Sequence, residues 1–314
     1  MKTFDCSIRE SCQTIGGLGL HVSSTLDKSA GDILSLNTGP FSCVSEVVDT
    51  SADITVHIAS YGQRKSYPVC EKFLSAGCAE FYRTSKGYRE DLYGSSDRDL
   101  LVWSIDIDPE FSSFHCGLHH SLSQERSIVI NLNELAFNPF LLKHSFLNHQ
   151  GLIIHAAGGS FQGKGIVFAA PSRTGKSTLS QLLMEDRGNQ LFSEERLIIR
   201  LVRGKWYVWG TPWQGEGGIA LNKAAPLDAL VFLRQADDTA ICRSSPSVAL
   251  HSLLQTASIP WYSKEWAEKG LALCESLLGD IPAYEFFFRP DDSVIHAVAL
   301  LADELEKNQG GVKK

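Results

Sequence analysis

Eight consecutive residues, Ala170-Pro171-Ser172-Arg173-Thr174-Gly175-Lys176-Ser177, constrain the fold more than any other part of the chain. They follow the apolar run Ile166-Val167-Phe168-Ala169 and lead into a segment with Leu179, Leu182 and Leu183 on one helical face. The stretch meets the pattern G-x-x-x-x-G-K-[ST] at every defined position except the first, where Ala170 stands for glycine. In such a loop successive backbone N–H groups curl around phosphate oxygens, and the following helix points its positive dipole end at them. A lysine adds a cation and the next hydroxyl reaches a divalent metal. Ala170 meets this requirement as long as its backbone does not need a positive φ. The alternative is a tight turn that happens to contain Gly-Lys-Ser, but the strand before it and the helix after it are the context a phosphate loop requires. The phosphate-binding set is therefore Ala170, Pro171, Ser172, Arg173, Thr174, Gly175, Lys176, Ser177 and Thr178.

The 314 residues allow one large domain or two ordinary ones, and the texture changes near residue 130. Before it, short β-rich segments alternate with turns: 54–58, 101–107 and 127–132 read as strands. Gly16, Gly17 and Gly19 read as a turn, and Glu71 to Arg83 as a helix. From Asn133 a helical pattern with Leu135, Leu142, Phe146 and Leu147 on one face runs to Gly151. A strand at 152–154, a glycine-containing turn, a strand at 165–169 and a helix from Lys176 to about Asp186 follow. Next come a strand at 190–192, a hairpin of 196–201 with 205–209, and a strand at 229–233. Helices at 247–258, 263–278 and 292–307 flank a strand at 283–288. The chain thus divides into a β-rich domain over 1–132 and an α/β domain over 133–314.

A balance of 29 basic against 36 acidic residues gives a net charge of −7, which argues against nucleic acid as a general partner. No apolar run reaches the roughly 18 residues needed to cross a bilayer, and Met1-Lys2-Thr3-Phe4 does not open a secretory leader. The eight cysteines are dispersed, with no CxxC pair, as free thiols in a reducing compartment would be. The expected location is cytoplasmic, away from any membrane. His115-Cys116-x-x-His119-His120 has metal-ligand residue types, but no second ligand pair with zinc spacing accompanies it, and a polar turn is the default.

His155-Ala156-Ala157 lies fifteen positions before Ala170, and Phe192-Ser193-Glu194-Glu195-Arg196 follows the loop. In order and spacing these segments resemble the catalytic domain of HPr serine kinase/phosphorylases, a group that shares its P-loop core with phosphoenolpyruvate carboxykinase. Gly210-Thr211-Pro212-Trp213-Gln214-Gly215-Glu216, Ala225-Pro226-Leu227 and Val231-Phe232-Leu233 also resemble HPr kinase-like proteins found beside modified-peptide gene clusters. The resemblance spans roughly 133–300. It implies an ATP- and Mg²⁺-dependent kinase acting on a serine hydroxyl of a protein or peptide, with Glu194 as proton acceptor, His155 and Lys176 beside the transferred phosphate, and Ser177 and Glu195 on the metal. The family pattern has Asp-Asp where this chain has Glu194-Glu195, and the added methylene matters because a misplacement of about 1 Å can cost about 100-fold in rate. Two further readings therefore stand beside the kinase: a nucleotide-binding interaction protein without turnover, and a phosphorylase or hydrolase running the reaction in reverse. The β-rich part would recognise the acceptor, and self-association into a homo-oligomer stays open. Away from the resemblance, His155 is equally a hydrogen-bonded core residue, Glu194-Glu195-Arg196 a solvated charge cluster, and Arg173 a solvent-facing loop residue. Trp213 and Gln214 either meet a ligand or pack in a hinge.

Overall fold

A computed structural model describes residues 9–24, 53–60, 62, 67–94, 99–119, 138–172 and 174–310. The chain groups into two units, the second beginning its main course at His149. Among the described residues there are two sheets and five helices, a mixed α/β architecture.

The first unit contains β1 (Arg9–Ile15), β2 (Leu18–Ser24), β3 (Asp53–Ser60), β4 (Val69–Ala76), β5 (Ala79–Thr84), β6 (Gly87–Tyr93), β7 (Leu101–Ile107), β8 (Ser113–Leu118) and helix α1 (Pro139–Asn148). The strands form one sheet in the order β1-β2-β3-β8-β7-β6-β5-β4. β2, β3 and β8 are parallel, whereas β8, β7, β6, β5 and β4 are successive antiparallel neighbours. Period-two alternation puts Ile54, Val56 and Ile58 with Phe114 and Cys116 on a buried face. The apolar side of α1 completes that core, with Phe140 stacked on Phe81 at 3.8 Å and His144 on Phe111 at 4.2 Å between ring centroids.

Several expectations change here. Glu71 to Arg83 is not a helix but the β4–β5 hairpin, turned at Gly77 with φ 61°. Two irregularities in its ladder interrupt the alternation by which a strand is read, while Phe73, Phe81 and Tyr82 supply aromatic β propensity. His115 and Cys116 lie within β8 rather than in a polar turn, and His115 stacks on His57 of the neighbouring strand. His120, the strand at 127–132 and residues 133–137 of the proposed helix lie outside the described residues. The rest of that helix, α1, groups with the first unit. Gly16 and Gly17 do form a turn, between β1 and β2, both with positive φ. Gly19 lies within β2.

The second unit contains β9 (Gly151–Ile154), β10 (Ala156–Phe161), β11 (Lys164–Ala169), α2 (Lys176–Leu183), β12 (Asn189–Ser193), β13 (Leu197–Val202) and β14 (Lys205–Trp209). It continues with β15 (Ala224–Gln235), β16 (Ala240–Arg243), α3 (Pro246–Thr256), α4 (Lys264–Asp280), β17 (Ala283–Phe288) and α5 (Ser293–Gly310). The sheet runs β12-β10-β11-β15-β14-β13-β9, with β17 beside β15 and β16 beside β17. β15 serves two neighbours in succession: Ala224 to Pro226 pair antiparallel with β14, and Leu227 to Phe232 pair parallel with β11. Its observed length, well beyond 229–233, follows from that double pairing.

The expected turn between 154 and 165 is largely the strand β10. Its run Ala156-Ala157-Gly158-Gly159 lacks the bulky residues by which strands are read, because neighbouring backbones leave no room for them. A Cβ on Gly158 would lie 2.6 Å from the carbonyl oxygen of Ile166, and one on Gly159 would collide with that of Gln190. β11 alternates between two buried faces. Ile166 and Phe168 join Phe161, Leu179, Leu183, Val231, Phe286, Val298 and Leu301 in one core, covered by α2 and α5. Val167, with Leu230 and Phe232 of β15, is equally buried, and α3 contacts the same two strands.

Cys70, Cys78, Cys116, Cys242 and Cys274 are free thiols, and no described helix is long and apolar enough to cross a membrane.

One buried charge site in the first unit has a measurable consequence. Glu90, in β6, is 3% exposed, and each of its carboxylate oxygens lies 3.3 Å from the Asn138 side-chain amide. Burial pushes the carboxyl up from 4.5 to about 7, against a smaller lowering by Asn138. The folded chain thus keeps a proton that the unfolded chain releases above pH 4.5, so stability falls as pH rises through this window to about 7. Glu90→Gln keeps the shape and removes the ionisation. Its stability advantage over the wild type should grow by on the order of 3 kcal/mol between pH 4 and pH 8, measured by urea unfolding at the two values. A pH-independent difference would contradict the assignment.

Candidate functional site

The phosphate-type loop leaves the C-terminal end of β11 and enters α2 at Gly175, whose φ is 99°. That left-handed conformation is open to glycine and strained for other residues. Ala170 is buried and is not among the described non-glycine residues with positive φ, so the condition for alanine at the first motif position is met. Inside the loop Thr174 Oγ1 donates to the Pro171 carbonyl at 2.9 Å. Lys176, 7% exposed, folds back so that Nζ donates to the carbonyls of Ala170 at 2.9 Å and Pro171 at 3.0 Å. Ser177 is half-buried on the first turn of α2, while Pro171, Ser172 and Thr178 are exposed. Arg173 lies outside the described residues.

Sheet topology decides what stands beside this loop. β10 is antiparallel to β11 with Ala156 opposite Ala169, so His155, one residue before that pair, sits at the loop end of the sheet. Its backbone N–H donates to Thr256 O at 2.8 Å, anchoring it to the last turn of α3. β12 is antiparallel to β10 with Ser193 opposite Gly158, which delivers Glu194 and Glu195 to the same end. The buried Ser193 hydroxyl accepts from the N–H groups of Glu195 at 3.3 Å and Arg196 at 3.4 Å, fixing the turn after the strand.

The two glutamates then diverge. Glu195 turns to the histidine, with Oε2 at 3.5 Å from His155 Nε2. Glu194 is 4% exposed, and its Oε1 has no hydrogen-bond partner among the described residues. It lies beneath the 210–218 segment: a Cβ on Gly215 would stand 2.8 Å from its Cγ, and one on Gly217 2.7 Å from both carboxylate oxygens. Only a glycine-rich segment can approach a carboxylate this closely. Arg196 extends to within 5.9 Å of the Trp213 ring centroid in the same segment, and Gln214 is exposed.

His155, Lys176 and Glu195 therefore share one electrostatic neighbourhood. Burial lowers the His155 pKa below its usual value; the Lys176 charge adds to the lowering and Glu195 opposes it. Burial also lowers Lys176, again against Glu195. This end of the sheet joins a buried ammonium, an imidazole and a carboxylate beside a loop that follows the phosphate-cradle pattern. Sequence reasoning missed Ser193, Thr256 and the glycines over Glu194, whose roles come from chain segments distant in sequence. Two clefts of about 530 and 540 Å³ share Leu227, Asp228, Asp280 and Ile281. They lie at the opposite end of the parallel strands and contain none of these site residues. Among the described residues no three His, Cys, Asp or Glu side chains form a metal-holding group.

No protein-family model matches the sequence, and no curated protein matches it. Among solved structures the chain is similar to the HPr(Ser) kinase/phosphatase from Coxiella burnetii, with 14% identity and a TM-score of 0.27 over 50% of this chain and 95% of that one.

The charge arrangement makes a spectroscopic prediction. Removing the Lys176 cation with Lys176→Met should raise the His155 pKa, whereas Glu195→Gln should lower it further. Following the His155 ring resonance through a pH titration by NMR tests both signs. A midpoint unmoved in both variants would mean that the three groups do not share a site.

Proposed function

We propose that this protein is an ATP-dependent kinase of the HPr kinase-like type that transfers the γ-phosphate to a serine hydroxyl of a protein or peptide. The observation that carries the reading is the convergence of the 170–177 loop, Lys176, His155 and Glu195 at one end of the β10–β11–β12 sheet. The triphosphate lies along the loop. Backbone N–H groups and the N-terminus of α2 orient its oxygens. Lys176 leaves the Ala170 and Pro171 carbonyls to meet the β and γ oxygens. His155 stands beside the transferred group.

The hard oxygen donors of Ser177 and Glu195 suit Mg²⁺, which takes one or two carboxylates and completes its shell with phosphate and water, so no all-protein cage is required. When bound, the ion would neutralise charge on the bridging oxygens. Glu194 accepts the proton of the attacking serine hydroxyl, its Oε1 being a buried acceptor with no hydrogen-bond partner among the described residues. For this it must be uncovered, with the acceptor taking the place of the Gly215–Gly217 backbone. The first unit would supply acceptor recognition.

A second reading draws on the same two details. A carboxylate shut beneath glycines and a lysine bound to its own loop suit a nucleotide-binding interaction protein that does not turn over. Transfer of labelled phosphate from γ-labelled ATP with Mg²⁺ to serine-containing peptides and proteins separates the two. The kinase reading expects transfer by the wild type, a loss of about 100-fold or more in Lys176→Ala, and a loss on the order of 10²–10⁴ in Glu194→Gln. ATP binding with no label reaching any acceptor or water would establish the binding reading, label reaching only water would establish a hydrolase, and release of phosphate from phosphoprotein would establish the reverse activity.

A further inference from the structure

The segment that joins β14 to β15 closes on the strand that carries the glutamates. Gly210 N–H donates to Lys223 O at 3.0 Å and Leu221 N–H to Phe192 O at 2.8 Å, while Ala220 pairs antiparallel with Ser193 in a single bridge. The approach is so close that a Cβ on Gly210 would stand 2.9 Å from Phe192 O. At its far end the segment folds over on itself. There Gly218, at φ 71°, donates its N–H to Gly215 O at 3.1 Å, and this glycine turn covers Glu194. The base of the cover is thus built on Phe192 and Ser193, the last two residues of β12, immediately before the acids.

Within that base Thr211 is fully buried, and its Oγ1 donates to Arg196 O at 2.6 Å. Two buried hydroxyls therefore grip the turn 194–196 from both ends. Ser193 Oγ accepts the N–H groups of Glu195 at 3.3 Å and Arg196 at 3.4 Å, and Thr211 Oγ1 holds the carbonyl with which the turn ends. The two bonds to Ser193 are longer than the ordinary N–H···O range, whereas the bond from Thr211 is short and firm. Arg196 adds a further joint through its guanidinium, 5.9 Å from the Trp213 ring centroid in the same segment. Both acids lie between these holds, and neither Ser193 nor Thr211 touches their carboxylates by a hydrogen bond.

We propose that Thr211 is a positioning residue for the acid pair: by holding the Arg196 carbonyl it sets the directions in which Glu194 and Glu195 leave the turn. This rests on the reading of Glu194 as proton acceptor and adds to it the group that aims the carboxylate. Thr211 can act only through the turn, because the one hydrogen bond of its hydroxyl goes to backbone. Without that donor the Arg196 carbonyl must find another partner or bear the cost of being left unpaired, and the turn shifts with it. A carboxylate that has to meet a hydroxyl proton tolerates little of this, since a displacement of about 1 Å can cost about 100-fold in rate.

The test compares the full-length wild type with Thr211→Val, which keeps the branched shape and removes the hydroxyl, and Thr211→Ser, which keeps the hydroxyl. In transfer from γ-labelled ATP with Mg²⁺ to a serine-containing acceptor, Thr211→Val should lose about 10- to 100-fold in kcat. The KM for ATP should change little, because nothing that Thr211 holds belongs to the phosphate loop. Thr211→Ser should recover most of the loss. In a Glu194→Gln background Thr211→Val should cost nothing further, since a residue that acts through a carboxylate has no effect once the carboxylate is gone. Amide hydrogen exchange followed by NMR reads the turn without any transfer. In Thr211→Val it should quicken at Glu195 and Arg196, whose N–H groups Thr211 does not itself bond, and leave β11 and β15 protected. Full kcat in Thr211→Val, or an equal loss with and without Glu194, overturns the positioning role and leaves the kinase in place. Exchange that quickens throughout the sheet marks general loosening and overturns it as well. A wild type that transfers no phosphate, with the turn loosened in Thr211→Val and restored in Thr211→Ser, removes the kinase and supports the hold of Thr211 on the turn. No transfer and no change in exchange overturns both.

Discussion

The parallel ladder between β11 and β15 is the constraint on which the candidate site depends. It sets the C-terminal ends of β11, β15 and β17 at one edge of the sheet, and the antiparallel neighbours β10 and β12 bring residues 155 and 194–195 to that same edge. The ladder is secured beyond its own hydrogen bonds, since Asp228 Oδ2 accepts from the Gly165 N–H at 2.7 Å where the strand begins. A slip of one residue would exchange the two buried faces of β11, turning Phe168 out of its aromatic core and Val167 into it. Burial of both faces is therefore what holds the loop, His155 and the glutamates in their places.

What the sequence made legible was local. The strand before Ala170, the helix after Gly175, the hairpin around Arg203-Gly204 and the strand Ala283–Phe288 are all signalled within a few residues of themselves, and they lie within three residues of where pattern and turn chemistry put them. β10 was hidden because close backbone approach demanded glycine at 158 and 159, the residues that ordinarily announce a turn. β4 was hidden because its irregular ladder broke the alternation. In both cases a tertiary requirement overrode the local signal.

The site divides along the same line. The loop and the spacing of His155 and Glu194-Glu195 could be read along the chain, but the directions of the two carboxylates could not. Adjacent residues leaving a strand point to different neighbours, and which one meets His155 is set by the turn that Ser193 ties. The glycines at 215 and 217 had a chemical reason that no local pattern carries, because the group they make room for lies some twenty residues earlier.

The two charged groups of opposite sign differ in how burial has been met. Lys176 is desolvated but satisfied, its ammonium bonded to two carbonyls of its own loop, so the cation waits with little strain and an arriving anion has only to offer a stronger partner. Charge-assisted bonds to phosphate do so, being roughly twice as strong as neutral ones. Glu194 is desolvated and incompletely satisfied, and a buried polar atom without a partner costs about 1–3 kcal/mol. The Gly215 and Gly217 backbone lies directly against the carboxylate and keeps it from solvent. A hydroxyl donor brought to Oε1 would relieve that cost. On the proposed reading the cation would exchange one set of partners for another while the carboxylate would gain one, so the unmet cost at this end of the sheet lies in the glutamate and the glycine-rich segment that confines it.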